Sequence, residues 1–485
     1  MNADDVLDVV VVGAGLSGIA AGHYLQTLCP SLGYAILEGR QAIGGTWDLF
    51  RYPGVRSDSD MFTLGYSFRP WASDSTCASG STIREYVNET AREEGIAGKI
   101  RFGHRVAAAD WNPAQARWTL SVDTDQGATS IRCRFLFFCS GYYDYEKGHE
   151  PQWPGQESFA GRIVHPQHWP PGVDYKGKQV VVIGSGATAV TLVPEMAATA
   201  AHVTMLQRSP SYIVALPGHD AIGSALRRLL PRTLSYRLVR WKNILLAAAF
   251  YQYCRRWPKR GQALLRRAAR HFLGPEFDVD RHLSPSYKPW EQRLCIAPDA
   301  DIFKAIRAGK ASIVTDTIEC FTPGGIQLAS GLELPADIVV SATGLKLKLV
   351  GGVRLSIDGR PVDGAGSLVY RGIMFSGVPN MALATGYTNA SWTLKCELAA
   401  RYVCRLLNHM QANGLDSVVP VADAGAMAAT QPFLNLSSGY IQRASAELPR
   451  QGLRTPWRMH QNYLLDLLSL KFSPLQDGAL RFGRK

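Results

Sequence analysis

A chain of 485 residues, 46% hydrophobic and 19% charged, is too long for one ordinary core and too apolar to be disordered or fibrous, so two or three folded domains are expected. No apolar run approaches the ~20 residues that span a bilayer, and Asp4, Asp5 and Asp8 stand where a secretory leader would be basic, so a cytoplasmic location is expected. The nine cysteines are scattered without a C-x-x-C pair, which argues against a disulfide framework, a zinc site and a redox dithiol.

The first predicted element is a buried strand at residues 9–12, feeding into GAGLSG, where Gly13, Gly15 and Gly18 complete G-x-G-x-x-G around Ser17 at the start of a helix. Gly13 permits a tight turn, Gly15 lets the backbone approach a pyrophosphate, and Gly18 allows close packing of helix on strand. Free amides at the helix start suit phosphate. The next strand, residues 34–37, ends in Glu38, about 20 residues beyond the last glycine, where a carboxylate accepts ribose hydroxyls. A dinucleotide site is therefore predicted.

Next comes GGTWDLFRYPGVRSD, residues 44–58, and later FAGRIVHPQHWP, residues 159–170. A second strand-like run at 178–183 leads into GSGATAV, where Gly184, Gly186 and Ala189 form G-x-G-x-x-A with Ser185, Ala187, Thr188 and Val190 between and after them. The following strand, 203–206, ends in Gln207 and Arg208 rather than in an acid. A carboxylate there would repel a 2′-phosphate, whereas a guanidinium pairs with it, so the second site should prefer NADPH to NADH.

Residues 221–271 contain no acid but thirteen cations, which account for the whole net charge of +12. Leu226, Leu229, Leu230, Leu234, Leu238 and Trp241 recur among them at three- and four-residue spacing, predicting amphipathic helices. Two readings stand: a helical insertion with a solvated basic face, and peripheral contact with an anionic membrane. No nucleic-acid motif accompanies the charge, so no nucleic-acid partner is expected.

Residues 44–58 and 159–170 carry a resemblance. Gly44, Gly45, Trp47, Tyr52, Pro53, Gly54 and Asp58 fit one signature of the type I Baeyer-Villiger monooxygenases, and Phe159, Gly161, His165, Trp169 and Pro170 fit the other. Residues 135–143 and 337–345 resemble the two crossover segments of flavin monooxygenases, and similarity to the family extends along nearly the whole chain. The resemblance implies FAD in the first site, with Thr46 and Trp47 beside the flavin and the Val106 backbone near the adenine. NADPH would occupy the second site, with Arg56 and Ser57 on the nicotinamide side. His165 would coordinate the domains as a linker residue. Arg293 matches the family's catalytic arginine and Asp58 the carboxylate that orients it. Where many members have a lysine before that arginine this chain has Gln292, so selectivity for NADPH rests more on Arg208. Trp457 is the candidate aromatic of the family's C-terminal control loop.

The expected fold is α/β, with two Rossmann-like dinucleotide-binding domains and a helical insertion. Residues 1–145 and 346–485 would form the FAD domain, 150–212 and 289–345 the NADPH domain, and 213–288 the basic insertion. The implied activity is conversion of a small ketone, with dioxygen and NADPH, to an ester or lactone through a C4a-peroxyflavin, with sulfides or thioamides also oxidised. Two alternatives remain: a dedicated N- or S-oxygenating flavin monooxygenase, and a non-catalytic flavin-bound membrane-associated scaffold. The proline-ended fingerprint and the Asp58 and Arg293 pair favour the first reading.

Overall fold

Val9, Val10 and Val11 are fully buried because their strand, Leu7–Val12, lies between two parallel neighbours, Tyr34–Leu37 and the end of Gly127–Phe138. A strand covered on both faces reads as an unbroken apolar run rather than an alternating one. The computed structural model describes residues 6–485, so Asp4 and Asp5 lie outside the described residues. Around this run a nine-stranded mixed sheet forms, continued by the antiparallel strands Arg105–Asn112 and Arg117–Thr124. Strands from distant sequence complete it, Arg354–Ile357 at one side and Met381–Leu383 against Gly127–Phe138. The helices Leu16–Leu28 and Trp392–Ala412 pack together over this sheet in one apolar core.

The second sheet has five strands, all parallel, in the order Ala311–Thr315, His202–Gln207, Gln179–Ile183, Ile338–Ser341, Arg162–Val164. Val180, Val181 and Val182 are buried at its centre. In both sheets the glycine loop follows a central strand whose two neighbours connect in opposite directions, which puts the ligand crevice at the carboxyl ends of the strands. The fingerprint segment 159–170 is not a plain connector: Arg162–Val164 is an edge strand of this sheet.

The basic segment is helical over Ala221–Leu229, Arg232–Arg256 and Pro258–Leu273. The run of leucines is split in two, because Leu230 is extended and Pro231, which has no N–H to donate, starts the second helix. The insertion is also stitched to its surroundings by a short parallel pair, Ile213–Leu216 with Cys295–Pro298. Among the described residues no helix is long and apolar enough to cross a membrane.

Candidate active site

The two glycine loops are near copies. Gly13 and Gly184 have φ of 102° and 134°, and a Cβ on either would meet a carbonyl oxygen at 2.9 Å (Cys139) or 2.3 Å (Ala342), so only glycine fits. Each donates its N–H to the end of the neighbouring strand, Gly13 to the Leu37 oxygen and Gly184 to the Leu206 oxygen, both at 2.8 Å. Gly18 would place a Cβ 1.9 Å from the Gly13 oxygen; Ala189, its counterpart, is buried without such a clash. Gly15 and Gly186 begin the two helices with the same extended backbone and no capping side chain, leaving first-turn amides open to phosphate. No atom lies within 4 Å of a Cβ built on Gly186, and Gly186 and Ala187 are exposed. This open cradle fits a dinucleotide pyrophosphate.

The residues that end the second strands differ. Glu38 is 7% exposed, its oxygens accepting the N–H groups of Ala14 at 2.8 Å and Arg40 at 2.9 Å. Burial raises its carboxyl above the ordinary range, against the pull of those two bonds and of Arg40. Val106 is buried in the strand Arg105–Asn112, and His104, just before it, donates its N–H to the Glu38 carbonyl at 2.9 Å, so this segment lies against the end of the strand that carries Glu38. Arg208, by contrast, is exposed, and no ion pair or hydrogen bond engages its guanidinium among the described residues. Gln207 is turned inward, its amide donating to the His282 carbonyl and the Thr315 hydroxyl at 2.7 and 2.8 Å. Of the predicted pair only Arg208 has its side chain available. Ser185 donates to the Ser209 carbonyl or shares a bond with Ser211, tying the loop to the strand end.

Residues 44–58 run from one unit to the other. Gly44 and Gly45 have positive φ, and buried Asp48 pins the turn by pairing with Arg40, Arg51 and Arg84. Thr46 meets the Tyr145 hydroxyl at 3.3 Å, and Trp47 is half-buried at a cleft of about 600 Å³ shared with Gly54, Arg56 and Glu195. Tyr52 is hydrogen-bonded to Thr188, its phenol pushed up to about 12 by burial. A Cβ on Gly54 would lie 2.8 Å from Glu195 Cβ. The first unit's loop is thus pressed against the helix Ala187–Ala197 of the second. Arg56 lines the cleft while pairing with Asp301. Ser57 is 2% exposed and its hydroxyl accepts the Ala78 N–H at 3.1 Å, so its side chain holds the loop. Ser17 is similarly engaged, accepting Trp392 Nε1 at 3.0 Å and donating to Cys396 Sγ.

Asp58 and Arg293, far apart in sequence, form an ion pair: Nη2 of Arg293 lies 3.3 Å from Oδ1 and 3.2 Å from Oδ2. Burial opposes the guanidinium charge, but the Asp58 carboxylate beside it holds Arg293 above its ordinary range. Burial also keeps the Tyr142 and Tyr440 phenols protonated, well above their ordinary values. Trp290 adopts φ of 68° in the turn before Arg293, an uncommon backbone for a large side chain. It is held there edge-on by Tyr251, 5.5 Å away. In front of Arg293 lies a mostly apolar pocket bounded by Leu347, Leu349, Tyr387, Phe433, Leu434 and Tyr440.

Sequence reasoning missed Tyr142, Tyr440 and Trp392. Tyr142 lies in a crossover segment and Trp392 follows a motif-like ATGYTN, their rings meeting at 4.9 Å; nothing local marks Tyr440. The fingerprint does not touch Arg293. Phe159 packs on Phe321, and a Cβ on Gly161 would strike the Asp337 oxygen at 2.4 Å. His165 caps a short turn with Nδ1 and packs on Gly148, its Nε2 buried without a partner. Burial lowers its pKa, so it is neutral at pH 7. Trp457 is 6% exposed, packed edge-on against Tyr370 in the core.

The family model described as flavin-binding monooxygenase-like matches residues 7–223. Over 480 residues the chain is 53% identical to the FAD-containing monooxygenase EthA of Mycobacterium tuberculosis, covering 99% of this chain and 98% of that one. It is 47% identical over 481 residues to the probable FAD-binding monooxygenase AlmA of an Acinetobacter species, with 99% and 97% covered. In fold it matches an oxidised steroid monooxygenase bound to NADP with a TM-score of 0.78 at 22% identity, covering 99% of this chain and 100% of that one. It also matches an ε-caprolactone-bound cyclohexanone monooxygenase with a TM-score of 0.76 at 18% identity, covering 98% and 99%. The chain belongs to the flavin-binding monooxygenase-like family, as an FAD-containing monooxygenase with the fold of the Baeyer-Villiger enzymes.

Proposed function

We propose that the protein is an NADPH-dependent Baeyer-Villiger monooxygenase, inserting one oxygen atom of dioxygen beside the carbonyl of an apolar ketone to give an ester or lactone. The other atom leaves as water, with NADPH supplying the two electrons. Sulfides or thioamides would be further substrates of the same oxidant. The observation that carries this reading is the Asp58 and Arg293 pair at the mouth of an apolar pocket, between two dinucleotide cradles. The first cradle, with Glu38 at the ribose and Thr46 and Trp47 at the ring, would hold FAD; the second, with Arg208 at the 2′-phosphate, would hold NADPH. Bound FAD supplies the redox and oxygen chemistry that no side chain here can perform.

The protein's own contribution is charge, orientation and dryness. Arg293 is a fixed cation where negative charge builds on oxygen, and such preorganised donors are worth most where water is excluded. Asp58 engages only Nη2, so it aims the guanidinium and leaves the remaining N–H groups for the reacting oxygen. Tyr142 and Tyr440, protonated at neutral pH, add O–H donors to the same wall. The apolar lining would meet the hydrocarbon part of a carbonyl substrate once the hollow, about 10 Å³ here, opens to admit it. We further assign the nine-stranded sheet to an FAD domain and the five-stranded sheet to an NADPH domain.

Incubation with NADPH, labelled dioxygen and a panel of linear, cyclic and aromatic ketones plus a thioether tests this. Esters or lactones carrying one labelled atom are expected. Sulfoxide with no ester from any ketone would instead favour a dedicated S-oxygenating enzyme, and no product at all a non-catalytic protein.

A further inference from the structure

Most of the large apolar side chains left exposed among the described residues lie in the basic helical segment and in the helix Tyr463–Phe472. On Arg232–Arg256 the exposed Leu234, Leu238, Trp241 and Leu245 recur every three or four positions, forming one outward stripe. The inward face, with Tyr236, Val239 and Ile244, carries one buried charge. Arg240 is 5% exposed and donates to the carbonyls of Phe62, Thr63 and Gly65 and to the Glu397 carboxylate. Trp241 meets Tyr463 at 5.8 Å, which brings the second helix, with Leu465, Leu468 and Phe472 exposed at 47%, 57% and 64%, alongside the first.

The charge around this stripe is one-sided. Arg227, Lys242, Arg266 and Arg270 are matched by Asp74, Asp220 and Asp280 from outside the acid-free stretch. Arg237, Arg255 and Arg256 are exposed on the same helix as the leucines, with no acid between residues 221 and 271. Apolar side chains rimmed by guanidinium groups complement a surface that is hydrocarbon below and anionic phosphate above. We propose that the outward faces of Arg232–Arg256 and Tyr463–Phe472 together dock on an anionic lipid surface.

The inner side of the same helix reaches the site. Asn243 donates to Asp60, two residues from Asp58, at 3.0 Å. Ile244 packs in one cluster with Tyr387, which lines the pocket, and Tyr251 holds Trp290. The lipid-facing stripe and the Asp58 and Arg293 pair are thus on opposite sides of one helix.

The test is co-sedimentation of the FAD-loaded full chain with vesicles of phosphatidylglycerol and phosphatidylcholine, against phosphatidylcholine alone. Binding at least tenfold stronger to the anionic vesicles is expected. Most of that preference should vanish near 1 M salt, where screening acts over ~3 Å. The combined variant Leu238→Glu, Leu245→Glu, Leu468→Glu, and separately Arg237→Glu, Arg255→Glu, Arg256→Glu, should each weaken binding tenfold or more while keeping flavin content. On the unmodified protein, lipids brominated near the headgroup should quench tryptophan fluorescence, which covers the case of a variant that fails to fold. Equal binding to both vesicles, unquenched fluorescence, or apolar substitutions that split a dimer without changing vesicle binding would overturn the proposal.

Discussion

The two glycine loops share their backbone almost angle for angle, yet the residues at the ends of their second strands have opposite charge, burial and bonding. Glu38 is buried and engaged by two backbone amides, whereas Arg208 is exposed and unengaged. With the cofactors proposed, the turn would serve any pyrophosphate, and discrimination between dinucleotides would rest on one side chain beyond it. The first site is also built into the folded core, so its residues serve stability and binding together. The second is laid on an open surface where binding can be changed alone.

Substitutions can break this comparison, and the largest effect is expected from Gly18→Ala. Its methyl would overlap the Gly13 carbonyl at 1.9 Å, so the loop must move, at a cost of roughly 3 kcal/mol or more. Flavin should be lost on gel filtration and the melting temperature should fall. Gly186→Ala, with open space around it, should keep its melting temperature and change only the KM for NADPH. If both variants behave alike, the contrast between a core site and a surface site is wrong.

Arg293→Ala tests the charge between the two cradles. It should keep FAD and still oxidise NADPH, yet form product at least a hundredfold more slowly and release hydrogen peroxide instead, since a missing donor at a developing oxyanion costs about 3 to 4 kcal/mol. Unchanged coupling of NADPH to product would remove Arg293 from the chemistry.

Arg208→Ala should raise the KM for NADPH roughly ten- to hundredfold, matching about 1.5 to 3 kcal/mol for one charged contact, with little change for NADH. The melting temperature should stay put, because no bond within the protein is lost. Equal use of both cofactors by the unmodified enzyme would show that selectivity lies elsewhere.

The smallest effect concerns Glu38. Because burial raises its folded-state pKa, the folded protein holds that proton more tightly than the unfolded chain. The associated stability is complete below the ordinary carboxylate pKa and is lost as pH rises through the folded value. In flavin-free protein, the stability of wild type relative to Glu38→Gln should therefore decline with rising pH across that window. A difference flat in pH would indicate that the amide bonds fully offset the burial.

What could be read from the chain was what short segments constrain by themselves. The clash of Gly18 with the Gly13 carbonyl is local, while Gly13 and Gly184 are crowded by Cys139 and Ala342 from far along the chain; the glycine spacing after a buried strand is what announces two cradles. The pairing of Asp58 with Arg293 was legible only through resemblance, since no periodicity joins residues so far apart. Side-chain direction was not legible: Gln207 sits beside Arg208 but points inward, and Ser17 and Ser57 spend their hydroxyls on Trp392 and Ala78. Tyr440 reaches the pocket from the short helix Gly439–Ala444, whose local sequence carries no signal. Nor was the packing of Trp457 on Tyr370 legible, since the two lie far apart in sequence.

Gly54 fixes how near the two glycine-loop units come. The segment that would flank the flavin rests on the helix that would carry the nicotinamide nucleotide through a residue with no side chain, where a Cβ would stand 2.8 Å from Glu195. With FAD and NADPH held as proposed, the distance between them would be governed by a spacer one hydrogen atom thick. A displacement of about 1 Å can slow a reaction a hundredfold, so the thickness of that spacer would be a rate-setting dimension.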